Sequence, residues 1–336
     1  MRRIVGLAAT CLLTSLALGA CSGGSNLINP QPTPTPVVPS VTAEVALPTA
    51  SSGPAFIARG PDQLLWVTEQ TGNQIAKIVS SSSIKEFPVP TAASAPLGII
   101  AGPDGSLWFT EFAAGKIGKI TTTGVITEFA LPPGATPANP QGITTGPDLN
   151  LWFAEAGNRN RIGSITTSGT VVENVLPTPN AKPAFIIQGP DGALWFTEMG
   201  ANKIGRITIG GAVTEFPIPT PNSQPYQIVV GPDSALYFTE KNADKLGRIT
   251  TTGSITEFSL APAKSAVGLV LGADGKFYIG DPAANEIAQV ITAPLTVNEF
   301  LIPTPASGIT GLTLGFDQKI YFAESNANKI GQFTYF

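Results

Sequence analysis

Short apolar runs alternate with tight polar breaks along this chain, and the runs come in groups of four. One group reads Ala184 to Gln188, Leu194 to Glu198, Lys203 to Thr208 and Val213 to Ile218, with Gly, Pro and Asn between the runs. Runs this short, bounded by turn residues, predict strands rather than helices. At Gly189-Pro190-Asp191 the proline presets φ, and the aspartate side chain can accept from the backbone N–H two residues on. The middle runs carry little polar interruption, which predicts strands covered on both faces.

The group repeats seven times. Turn aspartates Asp62, Asp104, Asp148, Asp191, Asp233, Asp274 and Asp317 mark the copies, at spacings of 42, 44, 43, 42, 41 and 43 residues. That period, with four strands in each, predicts an all-β seven-bladed β-propeller built of four-stranded blades. One position is aromatic throughout: Trp66, Trp108, Trp152, Trp195, Tyr237, Tyr278 and Tyr321. Each such ring can bury roughly 150–250 Å², so the column predicts packing between blades. The last copy lacks its outer strand. Val41-Thr42-Ala43-Glu44-Val45 is similar to Val213-Thr214-Glu215-Phe216 with one insertion, so an N-terminal outer strand is expected to close the ring.

Three parts are expected. Residues 1–20 read as a lipoprotein signal peptide, with Arg2 and Arg3 ahead of an apolar run too short to span a bilayer. The run ends in Leu18-Gly19-Ala20-Cys21, which resembles the bacterial lipobox and implies lipidation of Cys21. Residues 21–40 read as a Pro, Gly and Ser tether, and 41–336 as the propeller. The expected location is extracytoplasmic, lipid-anchored to a bacterial membrane, with the head a monomer.

Composition narrows the chemistry. The chain has no histidine, and its two cysteines fall in the signal peptide and at the anchor. Ser-His-Asp catalysis, Cys-His catalysis and the usual zinc sites are thereby excluded. Basic residues are scattered and the net charge is −4, which argues against nucleic acid as a partner.

Of the 23 acids, all but Asp244 and Glu286 fall in three columns. The first is the turn aspartates. The second lies in the outer strands: Glu44, Glu86, Glu128, Glu173, Glu215, Glu257 and Glu299. The third ends the second strands: Glu69, Glu111, Glu155, Glu198, Glu240, Asp281 and Glu324. This third column is expected at one mouth of the propeller. In five repeats a cation follows it, as Lys116 follows Glu111, so structural ion pairs are expected there. Glu69, Asp281 and Glu286 break that pairing, and they are the candidate metal ligands, for Mg²⁺ or Ca²⁺.

The motifs Gly-Pro-Asp-Gly-x-Leu-Trp-Phe-Thr-Glu at 102–111 and 189–198, Lys-Ile-Gly-Arg-Ile-Thr at 203–208 and Thr-Glu-Phe-x-x-Pro-Thr-Pro at 214–221 resemble the virginiamycin B lyase family. The resemblance covers residues 41–336. It implies a seven-bladed propeller and a Mg²⁺-assisted elimination that opens a cyclic streptogramin ester. It also implies two histidines and a tyrosine on the innermost strands, with a glutamate nearby. Here that innermost column reads Ala55, Leu97, Gln141, Ala184, Tyr226, Val267 and Thr310. The family tyrosine aligns with Ala55, the histidines with Val267 and Thr310, and the glutamate with Glu324, the one candidate catalytic residue.

A binding module for a small molecule, a glycan or an envelope protein is therefore expected. Tyr226, Gln141, Gln227 and Thr310 are its candidate ligand-binding residues, beside loop departures such as Asn139, Lys182, Gln224, Phe112 and Met199. The alternatives are a Mg²⁺-dependent C–O lyase and a metal-dependent lactonase or esterase.

Overall fold

The computed structural model describes residues 38–336 except 135–136 and 261–264. The expected signal peptide, Cys21 and most of the expected tether lie outside the described residues. Twenty-eight strands form seven antiparallel four-stranded sheets, and the described residues contain no helix. Blade one spans 54–88, two 96–130, three 140–175, four 183–217, five 225–259 and six 268–301. Blade seven takes its three inner strands from 309–334 and its outer strand from Ser40–Ala46. The expected seven-bladed propeller, closed by an N-terminal outer strand, is the observed fold.

The middle strands follow from one cross-strand fit. Every second strand is fully buried apart from Tyr321. Its central Phe lies over a glycine of the third strand, as Phe109 lies over Gly118, where a Cβ would stand 2.1 Å from the ring. The same pair is Phe153 with Gly163, Phe196 with Gly205, Phe238 with Gly247 and Phe322 with Gly331. Blades one and six hold Val67 and Ile279 instead, and there alanine replaces glycine, as Ala76 and Ala288. Volume is conserved across the pair, as close packing requires.

The turn aspartates serve the aromatic column. Asp62 Oδ1 accepts from Leu64 N and from Trp66 Nε1, at 3.3 and 3.1 Å. Trp108, Trp152 and Trp195 donate to Asp104, Asp148 and Asp191 likewise. Tyr278 and Tyr321 donate their hydroxyls to Asp274 and Asp317. Each indole N–H thus has a partner although the ring is buried.

Neighbouring blades are clasped at the outer strand. Thr91, leaving blade one, donates its N–H and its hydroxyl to Glu128 of blade two, both at 2.8 Å. Lys116 Nζ bonds both members, Glu128 at 3.0 Å and Thr91 Oγ1 at 2.6 Å. The clasp recurs as Thr178–Glu215–Lys203 and Thr220–Glu257–Lys245. At the closure it is Thr304–Glu44–Lys329, which ties the closing strand to blade six. Asn328 adds a second tie, donating to Leu47 O and Thr49 O and accepting from Ser52 N and Oγ. Asn328 sits at φ 59°, in the left-handed region that asparagine tolerates.

Deleting residues 38–49 removes a full strand ladder and both ties. Calorimetry of that truncation is expected to show a melting temperature lower by about 10 °C or more, whereas an unchanged transition would contradict the closure.

Candidate functional site

The innermost strands carry a bulge at the same place in six blades, as the pairing jumps from Pro140–Glu155 to Ile143–Phe153 in blade three. The two bulged residues are the column residue and its successor, such as Gln141 and Gly142. A bulge leaves backbone groups unpaired and re-aims side chains. Second-strand threonines satisfy the backbone here. Thr110 Oγ1 accepts from Gly98 N at 2.9 Å and donates to Gln141 O at 2.8 Å in the next blade. Thr68 and Thr197 bond Leu97 O and Tyr226 O in the same way. In the four blades that keep this threonine the bulged main chain beside the axis is thus bonded, whereas Ala154, Gly280 and Ala323 take the position in the other three.

Six of the seven column residues, all but Ala184, line one central cavity of about 430 Å³. Gln141 Nε2 donates to the Tyr226 hydroxyl at 3.3 Å, passing Ala184, which carries only a methyl. Tyr226 meets Phe185 edge-on, ring centroids 4.9 Å apart, and Phe185 packs on Phe56 of blade one at 5.1 Å. Lys241 Nζ stands 5.7 Å from the centre of the Tyr226 ring, within cation–π range. Burial raises the Tyr226 pKa against the lowering effect of Gln141, so its hydroxyl is neutral and can donate. No acid lines this cavity.

Three of the four candidate ligand-binding residues meet at this mouth: Tyr226, Gln141 and Thr310. The Thr310 hydroxyl is engaged with Ala55 O, at 2.9 Å. Gln227 points elsewhere: its Oε1 accepts from Leu269 N at 3.1 Å and links blade five to blade six. Asn139, Lys182 and Gln224 occupy a repeated left-handed position ahead of the innermost strand, φ 47°, 48° and 52°. Phe56, Phe185 and Lys241 were not legible as site residues. A signal existed for the phenylalanines, because the position after the column is glycine in four blades, Gly98, Gly142, Gly268 and Gly311.

The third acid column departs from expectation. All seven members are fully buried, and none lines the mouth. Nor are they the partners of the following lysines. Lys116, Lys203, Lys245 and Lys329 pair instead with the outer-strand Glu128, Glu215, Glu257 and Glu44, at 2.8–3.3 Å. In blade three Arg159 Nη1 is 3.9 Å from Glu155 but 3.3 Å from Glu173. The lysine is drawn to the outer-strand carboxylate because that group is already ionised by the threonine clasp. Both oxygens of Glu111, Glu155, Glu198, Glu240 and Glu324 have no donor within hydrogen-bond distance. Burial, with the neighbouring outer-strand carboxylate, pushes Glu69, Glu111, Glu155, Glu198 and Glu240 up to about 8 and Glu324 up to about 7. Near pH 7 the five pushed to about 8 hold their protons for the most part, and Glu324 is close to its midpoint. For Glu128, Glu215, Glu257 and Glu44, burial also pushes the pKa up, but bonds from threonine and lysine outweigh it and leave each below the usual range.

The candidate metal ligands do not assemble. Glu69 belongs to blade one, while Asp281 and Glu286 face each other in blade six. Asp281 Oδ1 accepts from the N–H groups of Ser265, Ala283 and Ala284, so it anchors a turn. Among the described residues, no three His, Cys, Asp or Glu side chains come close enough to hold a metal ion. Glu69, Asp281 and Glu286 therefore do not fit magnesium or calcium as a joint ligand set.

The fold and mouth define a closed seven-bladed propeller whose axial cavity mixes apolar and polar walls and, among the described residues, is lined by no acid. The virginiamycin B lyase family matches residues 38–138 and 134–335, and the chain belongs to that family. The crystal structure of virginiamycin B lyase from Staphylococcus aureus is 39% identical, covers 88% of this chain and 99% of its own, and superposes with a TM-score of 0.83. A streptogramin B lyase structure is 38% identical, with coverage of 87% and 96% and a TM-score of 0.82. A catalytically inactive histidine-to-alanine variant of the Staphylococcus aureus enzyme, crystallised with quinupristin, is 38% identical over 88% and 99%, with a TM-score of 0.83. No curated protein gives a significant match.

The buried carboxyls set a pH dependence. A glutamate whose folded pKa is raised holds its proton more tightly when folded, so its stabilisation is complete below the unfolded value of 4.5 and lost as pH rises through about 7 to 8. The outer-strand glutamates act oppositely and lose their contribution as pH falls below 4.5. Calorimetry across pH is expected to give a maximal melting temperature near about pH 5 and a steady fall toward about pH 9. Glu111→Gln, which mimics the neutral form, should flatten that fall. A melting temperature that rises from pH 5 to 8 would contradict the assignment.

Proposed function

We propose that this chain is a binding member of its family that recognises a ligand in the axial mouth without converting it. One observation carries the reading: the chain has no histidine. Replacing a single histidine by alanine leaves the Staphylococcus aureus relative catalytically inactive, and that variant was crystallised with quinupristin. Here the positions aligned with the family histidines are Val267 and Thr310, and that aligned with the tyrosine is Ala55. All three line the mouth, so the loss falls on its walls. Glu324 has a pKa suited to a base, but it is fully buried. A base must come within hydrogen-bond reach of the proton it removes.

The walls suit a largely apolar ligand with at least one hydrogen-bonding or anionic group. Phe56, Leu97, Phe112 and Val267 supply apolar surface, Gln141 and Tyr226 polar atoms, and Lys241 the charge. The expected setting is extracytoplasmic, anchored to a bacterial membrane, with Cys21 lipidated and residues 21–40 as the tether.

Quinupristin is the first ligand to test. Calorimetric titration is expected to show binding, and Tyr226→Ala to weaken it by about tenfold, from the loss of one aromatic contact and one hydrogen bond. Chromatography with tandem mass spectrometry after a long incubation is expected to return the ring intact, the fragmentation being needed because elimination leaves the mass unchanged. Ring-opened product at a rate above the protein-free control would overturn the non-catalytic reading.

A further inference from the structure

The repeat is broken three times at one seam, and the breaks meet. In blades one, two and four the column tryptophan stacks on the outer-strand phenylalanine. Trp66–Phe87, Trp108–Phe129 and Trp195–Phe216 have centroids 5.4–5.8 Å apart and planes within 20°. Each phenylalanine also covers a hairpin glycine of the following blade: Gly124, Gly169 and Gly253. Between blades seven and one both halves of this contact are missing. The closing strand has Val45 in the phenylalanine position, opposite Ile330 as Phe216 is opposite Ile204. The following hairpin is Ser80-Ser81-Ser82-Ser83, without glycine. The third break is Phe316, which stands where five blades have proline and blade six Ala273.

A groove of about 490 Å³ lies at this seam, lined by Val45, Ile78, Ser80, Phe316, Tyr321 and Ile330 among others. The column aromatic is still there, as Tyr321, without a phenylalanine beside it. Its hydroxyl is committed: it donates to Asp317 at 3.0 Å and accepts from Gln332 Nε2 at 2.6 Å. Its ring is therefore what it has to offer. Phe316 is 46% exposed, and the Arg59 guanidinium stands 5.4 Å from its ring centre. Blade three shows a different outcome of the same loss, since Asn174 takes the phenylalanine position and its amide oxygen approaches Gly211.

We infer that the groove between blades seven and one binds a small aromatic molecule, whose ring takes the place that the outer-strand phenylalanine fills in blades one, two and four. The neighbouring seams specify the shape: a flat ring, near-parallel to the column aromatic and covered by the next hairpin. The volume exceeds one phenyl ring, which favours a bicyclic ring or a ring with substituents. This site is separate from the axial mouth and shares no lining residue with it.

The test is an NMR titration of the whole chain with indole, following the methyl signals of Val45 and Ile330. Saturable shifts are expected, with a Kd of about 0.1–1 mM for so small a ligand, and cyclohexanol should bind at least about fivefold more weakly. Val45→Phe rebuilds the missing contact. It should raise the melting temperature and weaken indole about tenfold or more. Phe316→Ala, at an exposed position that the fold does not need, should weaken indole by about threefold or more. Tyr226→Ala, in the other cavity, should leave the titration unchanged. Absence of saturable shifts, equal binding of cyclohexanol, or an unchanged Kd in both Val45→Phe and Phe316→Ala would overturn the proposal.

Discussion

The propeller depends on a carboxylate that is shared between blades. Each clasp puts an outer-strand glutamate where it accepts two bonds from a threonine of the preceding blade and one from a lysine of its own. The threonine and glutamate are 37 residues apart, so the contact exists only when two complete blades are side by side. At the closure the same contact spans 260 residues and joins Glu44 to Thr304. Charge-assisted bonds of this kind are stronger than neutral ones. They act where hydrophobic burial alone would let blades slide, and so they set the angle between sheets.

The clasp also explains the buried acids. Once the outer-strand carboxylate holds the lysine, the second-strand glutamate beside it has no hydrogen-bond donor. A second charge so close, and out of water, would be costly. The group takes up a proton instead, and the pair becomes one charge rather than two. In a column that looks like a ring of negative charge in the sequence, the six glutamates thus hold their protons more tightly in the fold. The function then has to be sought on the axis, where the bulged strands turn column residues into the mouth. There second-strand threonines bond the bulged main chain in four blades, which leaves the column side chains open to variation. Gln141, Tyr226 and the phenylalanines at 56 and 185 are that variation.

Much of this was legible from the chain alone. Seven spaced aspartates and their aromatic partners define the blade number, and the similarity of 41–49 to 213–220 identifies the closing strand. These are readable because a repeat writes the same short-range contacts many times. The identity of the mouth residues was legible only in part. Tyr226 and Gln141 stand out as departures in a column of apolar residues, and they do meet. Gln227 stands out equally, yet its amide oxygen is taken by Leu269 N. A one-dimensional column cannot distinguish a side chain that turns to the axis from one that bridges blades.

The sequence by itself therefore determined the architecture, the order of closure and the absence of an imidazole base. Those follow from local periodicity and composition, which need no knowledge of neighbours. Only the tertiary structure decided which acid each lysine takes, because Glu111 and Glu128 are both within its reach along the chain and differ in what the next blade brings to them. Only it brought Val45, Ser80 and Phe316 to one groove, since those three breaks lie in separate stretches of the chain and meet where the two ends of the ring join. The physical reason is the same in both cases: a propeller's decisive contacts are between blades, and their partners are chosen by packing rather than by proximity in sequence.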